Sequence, residues 1–160
     1  MAWGSPHFGG DSSSIKAELT ALQSSCCAFA GLTKKGGLVG WGHPCLETGG
    51  ESLSEGLSEG FVAIQSSSHA FCALHGDGTV RCWGSRDYGG LAPQGLGAVK
   101  ALQATAGAFA ALREDGTVSC WGSPQHGGDA SEVQAEKKGK LNLLRERIIK
   151  LRCILYISIS

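Results

Sequence analysis

The apolar and polar positions of this chain follow the same order three times. A short apolar run, a polar turn and a β-branched or aromatic run ending in Trp-Gly occupy residues 28–42, 70–84 and 108–122. The three segments read AFAGLTKKGGLVGWG, AFCALHGDGTVRCWG and AFAALREDGTVSCWG. Two apolar strands separated by a glycine-containing turn predict a β-hairpin in each copy.

The last copy shows how such a hairpin is built. Gly116 follows Asp115 in the turn, where glycine reaches positive φ without steric cost. A repeat of two residues places Val118 and Cys120 on one face of the second strand and Trp121 on the other. Because both faces carry apolar or small residues, we expect both to be covered by neighbouring sheets, as in a propeller blade.

A third apolar segment precedes each hairpin and predicts a third strand per unit. These segments are Ala21-Leu-Gln23, Ala63-Ile-Gln65 and Ala101-Leu-Gln103. The variable stretches carry helix signals instead: Ile15 and Leu19 follow Ser12 at helical spacing, and Ser131 with Gln134 has the form of a capping box. A short helix or a tight loop on the rim is expected there.

The tryptophans end the repeating units and set their period. They stand at 3, 41, 83 and 121, so the period is about 40 residues, which is typical of solenoids and propellers. The fold class we predict is all-β, a partial β-propeller of three to four blades spanning residues 1–135. Because closed propellers need at least four blades, we expect a fragment of a longer array, and closure by further copies of the chain is the less favoured explanation.

Glycine content and charge narrow the class of protein. The 25 glycines predict frequent turns and short strands. Residues 1–135 carry seven basic and twelve acidic side chains, whereas residues 136–160 carry seven and two. Contacts to phosphate need clustered Lys and Arg, so nucleic-acid binding by the repeats is not expected.

The cysteines bear on the compartment. There are seven, an odd number, no C-x-x-C pair occurs, and the first ten residues lack the charged and apolar regions of a signal peptide. This pattern favours a reducing, intracellular setting, in the cytoplasm or the nucleus. A zinc site at His69, Cys72, His75 and Cys82 is the less favoured interpretation, because Cys72 takes the place of Ala30 and Ala110. Cys72, Cys82 and Cys120 are expected to be core thiols.

Residues 136–160 form a separate basic tail. Its apolar residues recur every three or four positions between basic ones, which predicts an amphipathic helix. They are Leu141, Leu144, Ile148, Leu151 and Leu155. A non-native terminus, packing of the stripe on the open end of the propeller, and binding to a membrane surface or a calmodulin-like partner are the three explanations, and the last is the least favoured.

An acidic insert lengthens the second unit. Glu51, Glu55 and Glu59 would share one face of a helix. The insert is either a solvated loop or an acidic contact patch for a basic partner. No nucleophile elbow or P-loop occurs in the sequence, and Asp77 and Asp115 are expected to be turn formers rather than general bases. We therefore predict no catalytic residues, no cofactor and no metal.

The phrase A-F-x-A-L-x-x-D-G-T-V-x-C-W-G, followed by Tyr88-Gly-Gly90, resembles the repeats of the regulator of chromosome condensation family over residues 2–134. The resemblance implies a β-propeller, which in that family has seven blades. Such repeats recur in guanine-nucleotide exchange factors, in large HECT-type ubiquitin ligases and in the beta-lactamase inhibitor protein II. The period here is shorter than in the chromosome-condensation regulator, and no position matches an exchange or ligase active site.

The function we predict is a protein-interaction scaffold without catalysis of its own. Rim loops would bind another protein through Arg86, Asp87 and Tyr88 and through the insert bearing Glu51, Glu55 and Glu59, since Tyr and Arg are favoured at binding hot spots. The alternatives are a substrate-recognition part of a HECT-type ubiquitin ligase and an exchange factor for a small GTPase.

Overall fold

The computed structural model describes residues 4–13, 15–43 and 59–129, which contain three antiparallel sheets of three strands each. In every sheet the strands lie in chain order. Sheet 1 contains β1 (Leu19–Ser24), β2 (Ala28–Thr33) and β3 (Leu38–Gly42); sheet 2 contains β4 (Phe61–Ser66), β5 (Ala70–His75) and β6 (Val80–Gly84); sheet 3 contains β7 (Val99–Ala104), β8 (Ala108–Arg113) and β9 (Val118–Gly122).

The hairpins of the three sheets have the same register. In each one the Phe of the middle strand lies opposite the Trp of the last strand, as Phe71 does with Trp83. The two rings stack in every sheet, with centroids 5.4 to 5.8 Å apart and planes 20 to 22° apart. Cross-strand aromatic pairs stabilise a sheet, so the repeated Phe and Trp fix the pairing.

The predicted third strands are confirmed as β1, β4 and β7. Each carries one irregularity in its pairing, between its first and third residues, at Thr20, Val62 and Lys100. These three residues are exposed. The bulge shifts the side-chain alternation, so Ile64 and Leu102 two positions later point into the core.

The apolar core lies between the sheets. One cluster joins residues of sheet 1, such as Leu38, to Phe61, Ile64 and Phe71 of sheet 2. A second joins residues of sheet 2 to Leu102, Phe109 and Trp121 of sheet 3. Both faces of sheet 2 are therefore covered, as the alternation along the strands predicts. This stacking of successive sheets is that of a partial β-propeller.

Of the two alternatives predicted for the stretch after Ser12, a short helix or a tight loop, the described residues show a turn, in which the N–H of Ile15 donates to the carbonyl of Ser12. Leu19 begins β1, so no helix forms from Ser12 to Leu19 in the described part of that stretch. Instead, one-turn 3-10 helices follow directly after Trp-Gly, at Pro6–Phe8, Arg86–Tyr88 and Pro124–His126. Ser131, Gln134 and the predicted basic helix of residues 136–160 lie outside the described residues. Within the described part of the chain, no helix is long and apolar enough to span a bilayer.

The expectation that Cys72 and Cys82 are core thiols is wrong. They lie opposite each other on β5 and β6 and are joined by a disulfide. The register explains the pairing, because directly opposed residues bring their side chains to the same face of the hairpin. Ala110 and Cys120 occupy the same two positions in sheet 3, so the repeat alone would not have revealed a bond.

Candidate protein-binding surface

The loops of the three sheets lie at two opposite ends of the strands. One end, the tight-turn face, carries the turns between second and third strands, residues 33–37, 75–79 and 113–117. The other end, the 3-10 face, carries the three 3-10 helices and the turns between first and second strands, residues 25–27, 67–69 and 105–107. A binding site on one face cannot include residues of the other without spanning the full length of a strand.

The tight-turn face consists of residues that close hairpins. A carboxylate oxygen of Asp77 accepts hydrogen bonds from the backbone N–H and the hydroxyl of Thr79, at 2.8 and 2.7 Å. These bonds, with a further contribution from His75, lower the pKa of Asp77 to about 2. Asp115 accepts the backbone N–H of Thr117 in the same way. Both aspartates are therefore turn formers, as the sequence indicates.

Glu59, the one described residue of the predicted acidic group, lies apart from Arg86 and Asp87. Arg86 and Asp87 are exposed on the 3-10 face. Glu59 is exposed beside the start of β4, on the tight-turn face, where its carbonyl oxygen lies 3.3 Å from the His75 ring. Glu51 and Glu55 lie outside the described residues. The 3-10 face is thus the one on which predicted contact residues lie together.

Tyr88 is half-buried rather than fully exposed. Its ring lies against His69, with the centroids 4.4 Å apart. Its backbone carbonyl accepts a hydrogen bond of 2.9 Å from the Ser67 hydroxyl. The third 3-10 helix is anchored in the same manner, because Thr105 donates to the carbonyl of His126 at 2.8 Å. The second and third 3-10 helices are therefore each tied to the neighbouring turn of the sheet that they follow.

An aromatic group on the first 3-10 helix was missed from the sequence. The ring of Phe8 is 53% exposed and stacks on His43, with centroids 6.0 Å apart. His7 meets the same His43 ring edge to face at 5.8 Å. The signal was available, because Phe8, Tyr88 and His126 each stand five residues after a Trp of the repeat.

The 3-10 face presents rings and charged side chains. Phe8 and His126 are exposed, Tyr88 is half-buried, and the exposed side chains of Arg86 and Asp87 lie on the same helix as Tyr88. Cys72 and Cys82 are bonded to each other and so offer no thiolate to a metal. In residues 4–13, 15–43 and 59–129, no three His, Cys, Asp or Glu side chains come together as a ligand set.

Solved structures with the same arrangement of sheets are found, whereas no protein-family model and no curated protein sequence matches the chain. Human WBSCR16 is 19% identical, with a TM-score of 0.53 over 68% of this chain and 34% of that one. The ectodomain of the Arabidopsis thaliana receptor kinase ACR4 is 21% identical, with a TM-score of 0.51 over 68% and 39%. Prp20p of Saccharomyces cerevisiae is 17% identical, with a TM-score of 0.51 over 68% and 31%.

These similarities are informative about the fold alone. The chain spans about a third of the length of each structure that it matches. Prp20p is also described as yeast RCC1, which is the type of propeller that the repeated phrase resembles. The three described sheets therefore have the fold of consecutive blades of a β-propeller of the kind found in the regulator of chromosome condensation.

Proposed function

We propose that this chain is a protein-interaction scaffold whose 3-10 face contacts the partner. The observation that carries the proposal is that each of the three described 3-10 helices of that face ends in a residue with a ring, Phe8, Tyr88 or His126. A partner with a complementary row of apolar and acidic or basic groups would contact several blades at once.

The backbone under these rings is held in place before any partner binds. Each 3-10 helix ends at a glycine of positive φ whose N–H returns to the first carbonyl of the helix, as Gly89 does to Arg86. The hydroxyls of Ser67 and Thr105 fix the second and third helices to the neighbouring turns. Rigid loops lose little entropy on association, which favours affinity.

The side chains themselves are of the types found at hot spots. Tyr88 and Arg86 belong to the residue types that carry most binding energy in interfaces, and Asp87 beside them supplies electrostatic selectivity. Tyr88 is half-buried, so binding would immobilise it at small further cost. The exposed part of the Phe8 ring would contribute apolar area.

Proteins of similar fold support a binding role in general terms. The description of Prp20p includes its binding to Gsp1p and to histones, and yeast RCC1 has been crystallised with Kap60 bound. By analogy with these proteins, the partner proposed for this chain is another protein. Exchange activity on a small GTPase and substrate recognition for a ubiquitin ligase stay predictions.

A photo-crosslinking amino acid placed on each face tests the proposal. Position 87 lies on the 3-10 face and position 115 on the tight-turn face, and both side chains are exposed. We expect position 87 to crosslink to a discrete protein of another sequence, and position 115 to crosslink to no protein other than a second copy of this chain. The purified partner should then bind Arg86→Ala about tenfold more weakly than wild type, which corresponds to roughly 1.4 kcal/mol.

The matched control for that variant is Lys100→Ala, which removes an exposed cation from the bulge of β7 without changing the 3-10 face. Its affinity should equal that of wild type. A partner captured equally from positions 87 and 115, or an Arg86→Ala affinity no weaker than that of the control, would contradict binding through the 3-10 face.

A further inference from the structure

The two outer sheets, sheet 1 and sheet 3, each expose one apolar side chain. The residues at the same position of other sheets are buried by contacts between sheets. Leu22 of sheet 1 is 53% exposed, whereas Ile64 and Leu102 at the same position of sheets 2 and 3 are each 4% exposed. Leu112 of sheet 3 is 38% exposed, whereas Leu74 at the same position of sheet 2 is 5% exposed. Sheet 1 and sheet 3 thus present opposite halves of the contact that joins neighbouring sheets.

The glycines of the tight turns show the same difference between sheets that are covered by the next sheet and sheet 3, which no described sheet follows. The carbonyl oxygen of Gly36 accepts the N–H of Phe61, and that of Gly78 accepts the N–H of Val99, each at 2.9 Å. A Cβ added at Gly36 or Gly78 would lie 2.7 or 3.1 Å from a backbone nitrogen of the next sheet, whereas a Cβ added at Gly116 would meet no atom within 4 Å. Gly116 therefore lies in a turn equivalent to those of Gly36 and Gly78, but no described sheet packs against it.

We propose that the exposed face of sheet 3 docks on the exposed face of sheet 1 of a second copy of this chain. Within one chain, Leu74 belongs to the same cluster as Leu102 and Phe109. Leu112 would meet Leu22 and Phe29 of the second copy in the same way. The N–H of Leu19 in that copy would be the donor to the carbonyl of Gly116.

This contact is head-to-tail, so it joins unlike faces of two molecules. Such contacts close into rings when the rotation permits and otherwise continue into chains. Two copies supply six sheets from the three described in each, and closed propellers have about four to eight blades. A closed dimer is therefore within the geometric range. This differs from the sequence-based expectation, in which association of copies was the less favoured way to cover the open ends.

One segment must move for the copies to dock. Residues 3–11 and 121–129 differ only at His7, which matches Gln125, and at Phe8, which matches His126. Residues 5–10 already lie on sheet 1, where the carbonyl of Gly9 accepts a hydrogen bond from the Trp41 indole. In the docked pair, residues 123–128 of the second copy take that place, and the chain's own amino-terminal loop is displaced.

The test is sedimentation velocity of the chain of 160 residues over a range of concentrations. Wild type should associate reversibly to at least twice 16.5 kDa. Leu22→Asp and Leu112→Asp should each raise the dissociation constant by at least about a hundredfold, because a buried unpaired charge is costly at an interface. Both side chains are exposed in the single chain, so each variant should keep the far-ultraviolet circular dichroism of wild type.

Mixing the two variants distinguishes this geometry from others. Leu22→Asp keeps an intact sheet 3 face and Leu112→Asp keeps an intact sheet 1 face, so the mixture should form one-to-one dimers and nothing larger. The control Val62→Lys, which places at an exposed bulge the residue type of Lys100, should associate as wild type does. A monomeric wild type, or variants that associate undiminished through residues 130–160, would overturn the proposal. So would a mixture that stays monomeric.

The variant Gly9→Ala tests whether residues 5–10 leave sheet 1 when the two copies dock. Its Cβ would lie 2.6 Å from a ring carbon of Phe29 at a φ of +89°, so the chain's own loop would be weakened on sheet 1. We expect association about tenfold tighter than wild type, since the competing segment is removed. Weaker association would mean that residues 5–10 remain in place and that sheet 3 of a second copy does not replace them.

Discussion

The indole nitrogen of Trp121 donates a hydrogen bond of 3.0 Å to the carbonyl oxygen of Gly89. Trp121 ends sheet 3, whereas Gly89 ends the 3-10 helix that follows sheet 2. Trp41 makes the same bond to Gly9 at 3.1 Å. In sheets 1 and 3 the repeated tryptophan therefore ties the sheet to the loop that precedes it, in addition to packing between sheets.

Replacing Trp121 with Phe should cost about 2 kcal/mol in the free energy of unfolding. The variant keeps a ring opposite Phe109 but leaves the carbonyl of Gly89 without its indole donor in a buried place, and a lost buried hydrogen bond costs about 1 to 3 kcal/mol. Urea unfolding followed by circular dichroism measures the change. Trp41→Phe is the control, since Trp41 is half-buried and water can replace its hydrogen bond. We expect Trp41→Phe to lose about half as much free energy of unfolding as Trp121→Phe. An equal or larger loss would refute the explanation by a buried hydrogen bond.

Gly89 itself tolerates no side chain. Its φ is +87°, and a Cβ there would lie 2.5 Å from a ring carbon of Phe109. Gly89→Ala should therefore lose stability through backbone strain of about 1 to 2 kcal/mol and through overpacking of about 1 to 3 kcal/mol.

Gly95→Ala is the matched control for the backbone effect. Gly95 also has a positive φ, +70°, but a Cβ there would meet nothing within 4 Å. The difference between the two variants in thermal unfolding isolates the contact with Phe109. Two equal losses of stability would contradict the close approach of the loop to that ring.

The hairpins and their register could be predicted from the sequence because the information is local. Phe stands twelve residues before Trp in every copy, and a tight turn between them leaves one pairing that brings both rings to the same face. The stacking of the sheets could be predicted because apolar or small residues lie on both faces of the last strand of the hairpin. The bulges at Thr20, Val62 and Lys100 were not predicted, since a single extra residue leaves no signal in a short apolar run.

The surface was harder to predict because its residues are brought together by tertiary contacts. The exposure of Arg86 and Asp87 follows from their place in a polar loop. The half-burial of Tyr88 depends on His69, nineteen residues earlier on another turn, and no periodicity relates the two. Likewise, Glu59 and Arg86 are candidates of one type in the sequence, but the direction of the strands puts them on opposite faces.

The disulfide between Cys72 and Cys82 should stabilise sheet 2 when it forms. Their sequence separation is 10, and closing a loop of that length restricts the unfolded chain by about 3 kcal/mol in the entropic account. Peptide mapping of the unreduced protein should find the two cysteines linked. Thermal unfolding should occur at lower temperature after addition of a reductant.

The control for reduction is Cys72→Ala with Cys82→Ala, which gives sheet 2 the small residue that sheet 3 has at Ala110. Its unfolding temperature should be the same with and without reductant. A double variant that remains as sensitive to reductant as wild type would show that the bond between Cys72 and Cys82 is not the source of the effect.

The carboxylate of Asp77 should make the turn between β5 and β6 sensitive to acid. Its pKa is lowered from 3.8 to about 2, first by the bonds from Thr79, so the folded state binds this proton less readily than the unfolded state. The contribution to stability is therefore present above about pH 4 and is lost as the pH falls through 2. Urea unfolding between pH 5 and pH 2 should show Asp77→Asn less stable than wild type at pH 5, with the difference disappearing near pH 2. Asp87→Asn, which removes an exposed carboxylate from the opposite face, is the control for the loss of one charge. If the free energy of unfolding of Asp77→Asn differs from that of wild type by the same amount at every pH from 5 to 2, the role of the charged form is refuted.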